Sequence, residues 1–281
     1  MTPKNPEPAS YERVIEPRGN LLEIKELWRY RELFGFLAWR DILVRYKQTV
    51  IGIAWAVVRP LLAMIIFTVV FHKVAKLPVP AGVPYPLMVF AAMMPWQFFA
   101  TSLTESSNSL IHNSSLISKI YFPRLVIPAS SVITSFVDFL IALCLMAILM
   151  VIFHFTPDWR VMCLPLFAAL AFGTALGAGL WLCSLNVKYR DFRYIIPFIV
   201  QIGFFISPVG YSGTNVPEKW QLLYSLNPMV GVIEGFRWSL LRGEFVLSGT
   251  AVAFSAGIAV TLLVTGVWHF RRVERSFADV I

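Results

Sequence analysis

Few residues of this chain could do chemistry, and their spacing favours no catalytic site. Asp138 is the only carboxylate well inside an apolar run, with no second carboxylate near it in sequence to complete an acid pair. A carboxylate in such a run is either a functional residue or a hydrogen-bonded packing residue between helices, and the sequence leaves both interpretations open. The histidines all lie at the ends of apolar runs, where histidine is common without a ligand: His72, His112, His154 and His269.

The short motifs of the commonest enzyme sites are also missing. The sequence has no phosphate loop of the form G-x-x-x-x-G-K-[ST], no H-E-x-x-H and no G-x-S-x-G. Its three cysteines fall inside apolar runs without a C-x-x-C pair, which supports neither a disulfide framework nor a zinc site. We therefore expect no catalytic residue, metal or cofactor in this chain.

The composition indicates that part of the surface faces lipid. Of 281 residues, 57% are hydrophobic and 14% are charged, whereas a soluble domain is about half apolar and a quarter charged. A chain of this size cannot bury so much apolar surface in one water-bounded core. A soluble enzyme, a disordered chain and a nucleic-acid binder are all disfavoured, although the net charge is +8.

Apolar runs long enough to cross about 30 Å of hydrocarbon predict an all-α integral membrane protein, because lipid offers the backbone no hydrogen-bond partner. Six such runs predict six transmembrane helices: 53–72, 87–107, 128–153, 161–184, 195–211 and 249–270. We divide the chain into a cytoplasmic segment, 1–51, a membrane domain, 52–270, and a cytoplasmic tail, 271–281.

The charges predict the orientation of these spans. The first residues contain no apolar signal region, so we expect the N-terminus to stay in the cytoplasm. Seventeen of the 24 lysines and arginines then fall in cytoplasmic pieces, as the positive-inside rule requires. Within 21–51, Leu33, Leu37 and Val44 share one helical face with Arg40 and Lys47 at its edge, which predicts an amphipathic helix in the membrane interface.

Residues 221–241 could form a seventh span, but that would place Glu234 and Arg237 in lipid at a cost of several kcal/mol. We predict instead that 213–248 is a re-entrant outer segment of two helices between spans five and six. The break falls at Asn227 and Pro228, because proline lacks a backbone donor and disfavours helix in the residue before it. Glu234 and Arg237 stand three residues apart, which predicts an ion pair on one helical face.

Four stretches of the chain resemble ABC-2-type permeases, in the branch that exports O-antigen, capsule and teichoic acid chains and is represented by Wzm. They are RYKQTVIGIAWAVVRPLL (45–62), MMPWQFFATSLTESSNSLIHNSSLISKIYFPRLVIPASS (93–131), NVKYRDFRYIIPFIVQIGFFISPVGY (186–211) and LNPMVGVIEGFRWSLL (226–241). They follow one another in the family's order across nearly the whole chain. Arg59 departs from the pattern, which has an uncharged polar residue at this position. The resemblance therefore does not decide the charge at the pore entrance.

The resemblance implies a multi-pass protein of the bacterial inner membrane with both termini cytoplasmic. Two copies would form one channel for a lipid-linked polysaccharide, and two separate ATPase subunits would hold ATP and Mg²⁺; no nucleic acid is involved. Within the loop 108–127, the resemblance implies coupling to the ATPase through Asn113, Ser114, Ser118, Lys119, Tyr121, Phe122 and Arg124.

The resemblance also implies a channel lining and an outer gate. The channel residues would be Trp55, Arg59, Trp96, Phe204, Phe205 and Tyr211, and the gate residues Asn227, Pro228, Glu234 and Arg237. Aromatic rings suit this cargo because they stack on the C–H faces of sugars. Two alternatives remain, an ABC-2 exporter of a small molecule or drug and an intramembrane glycosyl- or acyltransferase.

Overall fold

A computed structural model describes residues 30–47, 52–76, 82–119, 122–189, 191–213 and 216–274. These residues are mostly helical and contain no strand, so the predicted all-α class is confirmed. Five helical stretches in them are long and apolar enough to cross a membrane: Ala54–Val74, Tyr85–His112, Val126–Ile152, Trp159–Lys188 and Gly249–Val273.

The helices follow one another with short connections. In chain order they are α1 (Arg31–Lys47), α2 (Gly52–Phe67), α3 (Tyr85–His112), α4 (Ser114–Ile117), α5 (Val126–Ile152), α6 (Leu164–Lys188), α7 (Phe192–Ile206), α8 (Glu218–Ser225), α9 (Pro228–Leu240) and α10 (Gly249–Val273). A π-helical segment, Thr68–Val74, prolongs α2, and a 3₁₀ turn, Trp159–Cys163, precedes α6.

The predicted fifth span is shorter than the other five. Its helix α7 has 15 residues, which at 1.5 Å per residue extend about 22 Å, less than the hydrocarbon core of a bilayer. The helix ends at Ser207, whose backbone is extended. The six-span count therefore stays a prediction, with five long spans and one short apolar helix in the structure.

The centre of the protein is α3, which is the most deeply buried of the long helices. It packs against α5, α6 and α9, while α10 packs against α6. The contact between α6 and α10 is backbone to backbone, since a Cβ on Gly177 would lie 2.5 Å from the carbonyl carbon of Leu262. A glycine is needed at this crossing because no side chain fits between the two helices.

Helix α1 lies against α5 and exposes a second apolar face. Leu37 is buried against the protein, and Leu33 packs beside it. Val44, which the sequence placed on the same face, is exposed. The side of the helix away from the protein carries the large exposed side chains Phe36 and Trp39. An exposed aromatic face suits a helix lying in the membrane interface.

The predicted helix break at Asn227 and Pro228 is confirmed, since these residues separate α8 from α9. The Asn227 side-chain oxygen accepts a hydrogen bond from the Met229 N–H over 3.0 Å, and Pro228 is the first residue of α9. This is the usual chemistry of a helix start. Helix α9 is almost entirely buried, with Val232 and Phe236 inaccessible to solvent.

Candidate functional site

The loop between α3 and α5 is the first candidate surface. Asn113 and Ser114 begin it, Ser114 opens the single turn α4, and Ser118 and Lys119 follow in a turn with exposed side chains. Tyr121 lies outside the described residues. Among the described residues that follow Asn113 in this loop, Ser115, Ser118 and Lys119 are exposed, so the turn at 118–119 is open to a partner.

Two other predicted coupling residues of the loop face the protein. The ring of Phe122 is 4% exposed and packs in a cluster with Leu110 and Phe270. The Arg124 backbone N–H donates to the Glu274 carboxylate over 2.6 Å, and its guanidinium donates to the Glu274 carbonyl over 2.5 Å. These contacts fasten the loop to the end of α10.

The start of the same loop is bonded to the amphipathic helix α1. The Arg40 guanidinium donates to the Asn113 side-chain oxygen over 2.8 Å and to Asp41 over 2.7 Å. The Asn113 amide in turn donates to the Ser109 carbonyl over 2.9 Å. Asn113 thus connects α1 to the last turn of α3.

A second network joins α1 to the spans. The Arg45 guanidinium donates to Glu105 of α3 over 2.9 Å and also to Asp138 of α5, which accepts a further bond from the Tyr46 hydroxyl. Burial and the bond to Asp138 raise the pKa of Tyr46, so this phenol stays protonated and donates. Of the two interpretations left open for Asp138, the structure supports a hydrogen-bonded residue between helices.

A second carboxylate near Asp138 was not expected from the sequence. Glu105 lies on another helix and reaches the same arginine. The sequence did indicate that Asp138 has a partner, because an ionisable residue inside a span requires one. Nothing in the spacing of the residues identified Arg45 as that partner.

A cavity of about 380 Å³ opens beside this network, between the end of α1 and the helices α2, α3 and α5. Two predicted channel residues line it together, Trp55 and Arg59. The Arg59 guanidinium lies 5.7 Å from the centre of the Trp55 ring, within the range of a cation–π contact.

The other predicted channel residues lie elsewhere. Trp96, on α3, is only 5% exposed and packs against α7, so closely that a Cβ on Gly203 would lie 2.7 Å from its ring. Phe204 is half-buried beside it, and Phe205 is 67% exposed. Tyr211 is half-buried beyond the end of α7, where its hydroxyl donates to the Ile206 carbonyl. The six residues therefore do not form one surface within a single chain.

Arg237, on α9, is the most completely enclosed cation of the described residues, with 1% of its surface exposed. Its guanidinium donates to the carbonyls of Tyr211 over 2.7 Å, Val209 over 2.8 Å and Met88 over 3.3 Å. These acceptors belong to the segment after α7 and to the first turn of α3. Arg237 thus fastens α9 to both.

The predicted ion pair between Glu234 and Arg237 is wrong, since no salt bridge joins these two described side chains. The three carbonyls occupy the guanidinium instead. One oxygen of Glu234 is buried without a hydrogen-bond partner, and the other lies over Gly213. Burial raises the pKa of Glu234 to about 7, although the nearby charge of Arg237 lowers it.

Comparison with known proteins gives consistent matches over most of the chain. Residues 32–241 match the model of a family described as ABC-2 type transporter. The chain is 29% identical over 244 residues to the O-antigen export system permease protein RfbA of Klebsiella pneumoniae, covering 86% of this chain and 92% of that protein.

Two further relatives are similar at lower identity. The protein of the same name from Myxococcus xanthus is 26% identical, with 92% of this chain and 98% of that one covered. The polysialic acid transport protein KpsM of Escherichia coli is 21% identical, with coverage of 84% and 92%. In each case the match extends over nearly the whole length of both chains.

Proposed function

Because the chain belongs to the ABC-2 type transporter family, we propose that it is the permease subunit of an ABC exporter that carries a lipid-linked polysaccharide across the inner membrane. Separate ATPase subunits supply the energy. The observation that carries this proposal is the match to O-antigen export permeases over 86% and 92% of the chain, together with five helices long enough to span a membrane.

The cargo is argued from the relatives. Two relatives named as O-antigen permeases are 29% and 26% identical to this chain, and the polysialic acid transporter is 21% identical. This order favours a glycan of the O-antigen type over a capsule polymer. The names of all three relatives describe export or transport of a polysaccharide, which favours a polysaccharide over a small molecule or drug.

Coupling to the ATPase is assigned to the loop between α3 and α5. The exposed turn at Ser118 and Lys119 supplies the docking surface. Arg40 and Asn113 would carry movement of this turn to α1, because their hydrogen bond joins the two elements. In the same arrangement two copies of this chain enclose one channel above two ATPase subunits, with both termini in the cytoplasm.

The outer segment, α8 and α9, is assigned the role of a gate. Arg237 fastens α9 to α3 and to the residues after α7, so a movement of α7 would be transmitted to the outer segment. Trp55 and Phe205 offer exposed rings for sugar stacking, whereas Trp96 would have to leave its packed position to do so.

Reconstitution with the partner ATPase tests this function. The purified complex in proteoliposomes should move a lipid-linked glycan to the opposite leaflet when ATP is supplied, as detected by a membrane-impermeant lectin. The permease alone should not. Glycan movement by the permease without the ATPase, or movement of a drug but not of the glycan, would contradict the proposal.

A further inference from the structure

The contacts between α6 and α10 show which residues of the two helices lie at the same level. Gly177 packs against the backbone of Leu262. One turn further along α6, the Trp181 indole N–H donates to the Thr265 hydroxyl over 3.0 Å. The same indole stacks on the His269 ring, with 4.1 Å between the ring centroids. Because these contacts advance in the same direction along both helices, α6 and α10 run parallel.

This register brings two cations to one end of the helix pair. Lys188 stands seven residues after Trp181, and Arg272 stands seven residues after Thr265, which is about two turns in each helix. Both side chains also lie close enough to His269 for their charges to act on it. Lys188 and Arg272 therefore form one basic cluster at the ends of α6 and α10.

The two charges of this cluster are not neutralised by an acid. Within the described part of the chain, neither Lys188 nor Arg272 makes a salt bridge, and both side chains are exposed. Each lies over an exposed aromatic ring instead, Lys188 at 5.2 Å from the Tyr189 centroid and Arg272 at 5.5 Å from the Trp268 centroid. A cation–π contact holds a cation in place without removing its charge. The cluster is thus open to an anion.

The exposed face of α10 leads from apolar side chains to this cluster. Val260, Val264, Trp268 and Arg272 follow one another at every fourth position and are all exposed. Residues four apart form a continuous ridge on a helix, and this ridge is about 18 Å long. Its order, apolar then indole then cation, is the order of acyl chain, interface and headgroup in one leaflet of a bilayer.

A phospholipid with a net negative headgroup matches both parts of this surface. Its phosphate oxygens accept hydrogen bonds from ammonium and guanidinium groups, and its acyl chain lies along exposed valines. We propose that the ends of α6 and α10 form a binding site for one anionic phospholipid, with its phosphate between Lys188 and Arg272 and its acyl chain along the ridge of α10. The site includes none of the residues assigned to the channel, the coupling loop or the gate.

The same features disfavour other occupants. A zwitterionic phospholipid would bring its own cation close to Lys188 and Arg272, where like charges repel. A free phosphate ion would leave the apolar part of the ridge uncovered. A soluble partner is disfavoured because Arg272 lies one turn from the exposed Trp268, on a helix long enough to span a membrane. The site should therefore select anionic phospholipids.

Native mass spectrometry of the delipidated permease in complex with its ATPase measures this selectivity. The complex in detergent is titrated with phosphatidylglycerol or phosphatidylcholine of the same acyl chains, and bound lipids are counted. We expect one tight phosphatidylglycerol per permease chain, bound at least about tenfold more tightly than phosphatidylcholine, which corresponds to about 1.4 kcal/mol. Inorganic phosphate should not displace it.

Variants assign the binding to the cluster. Lys188→Gln combined with Arg272→Gln should weaken phosphatidylglycerol binding about tenfold and leave phosphatidylcholine binding unchanged. Arg272→Lys, which keeps the charge, should retain most of the binding. Lys47→Gln is the matched control, because Lys47 is an exposed cation at the end of α1, whose main contact is with α5. Size-exclusion chromatography checks that each variant remains a folded complex.

Three results would overturn this site. Equal affinity for the two lipids, or an equal loss in Lys47→Gln, would reduce the cluster to ordinary surface charge. Displacement by inorganic phosphate would make it a site for a soluble anion. Loss of the ATPase from the double variant at unchanged lipid binding would make it an ATPase contact. Export is measured separately with the impermeant lectin, so ATP-dependent export without selective lipid binding would refute the lipid site and leave the proposed function standing.

Discussion

The Arg40 guanidinium of α1 and the side-chain oxygen of Asn113, which begins the coupling loop, are 2.8 Å apart although 73 residues separate them in the chain. A charged donor makes this bond stronger than one between neutral groups. It joins the amphipathic helix to the loop that we assign to the ATPase. Movement of the loop should therefore reach α1 directly.

Breaking this bond should uncouple ATP hydrolysis from transport. Arg40→Ala should lower ATP-driven glycan export about tenfold, as expected from loss of a charged hydrogen bond worth about 1.5 kcal/mol, while the ATPase still co-purifies. Arg40→Lys keeps the positive charge but lacks the planar guanidinium, so its glycan export should lie between that of the wild type and that of Arg40→Ala. Asn113→Ala should add nothing to Arg40→Ala, and fully additive losses would show that the pair does not act together.

Docking by the exposed turn predicts different failures for two residues of the same loop. Lys119→Glu should weaken recovery of the ATPase with the permease at an unchanged melting temperature, because Lys119 is exposed. Phe122→Ala should instead lower the stability of the permease itself by about 3–5 kcal/mol, the usual cost of truncating a buried phenylalanine. Pull-down and thermal unfolding of both variants measure this. Loss of stability in Lys119→Glu, or normal stability in Phe122→Ala, would contradict the assignment.

The sequence predicted the helices better than their contacts. The apolar runs located the long spans because a bilayer sets their length, and Pro228 located the break between α8 and α9 because its ring cannot continue a helix from before it. The spacing of Glu234 and Arg237 predicted an ion pair that the structure does not contain. A separation of three residues places both side chains on one helical face. Only the fold brings the carbonyls of Met88, Val209 and Tyr211 to the Arg237 guanidinium.

The Asp138 network shows the same limit over a longer distance. An isolated acid in an apolar run indicates that a partner exists, but Arg45, which donates to Asp138, is 93 residues away in the sequence. Likewise, the residue types favour an exposed Lys119 and a buried Phe122, but the loop sequence does not show that the end of α10 covers Phe122. Such contacts depend on the crossing of helices, which local patterns do not encode.

The network at Arg45 predicts an order of stabilities. Arg45→Gln leaves Glu105 and Asp138 facing each other without a cation and should cost about 1–3 kcal/mol. Asp138→Asn should cost less, because Arg45 keeps its bond to Glu105. Arg59→Gln is the matched control, since Arg59 has no acid partner among the described residues. Thermal unfolding in nanodiscs ranks the variants, and equal losses for Arg45→Gln and Arg59→Gln would contradict the network.

The raised pKa of Glu234 predicts a pH dependence with a definite sign. The folded state holds the proton up to about pH 7, whereas an unfolded glutamate releases it near pH 4.3. The stabilisation is therefore present at low pH and is lost as the pH rises through 7. Relative to the wild type, Glu234→Gln should gain Tm between pH 5 and pH 8, by about 2–4 °C for each kcal/mol of stabilisation that the wild type loses.

The control for this measurement is Glu244→Gln, at an exposed glutamate of the same outer region. Its Tm should follow the wild type across the same pH range. A wild-type Tm that rises relative to Glu234→Gln above pH 7 would reverse the sign and refute the buried, protonated state of Glu234.

The re-entrant outer segment predicts the side from which two positions can be labelled. In a background with Cys144, Cys163 and Cys183 replaced by alanine, Lys219→Cys and Glu244→Cys should both react with an impermeant thiol reagent added to intact spheroplasts. Lys119→Cys should react only after permeabilisation. Labelling of position 219 from outside and of position 244 only after permeabilisation would mean that the segment crosses the membrane.

The most direct measurement is glycan export in cells that lack their own polysaccharide exporter. This chain is expressed with its partner ATPase, either active or unable to hydrolyse ATP, and the surface glycan is quantified with an impermeant lectin. We predict that glycan reaches the surface only with the active ATPase and accumulates on the cytoplasmic side without it. Glycan at the surface with the inactive ATPase, or no glycan with the active one while both proteins assemble, would contradict the assignment of this chain as an ATP-driven polysaccharide permease.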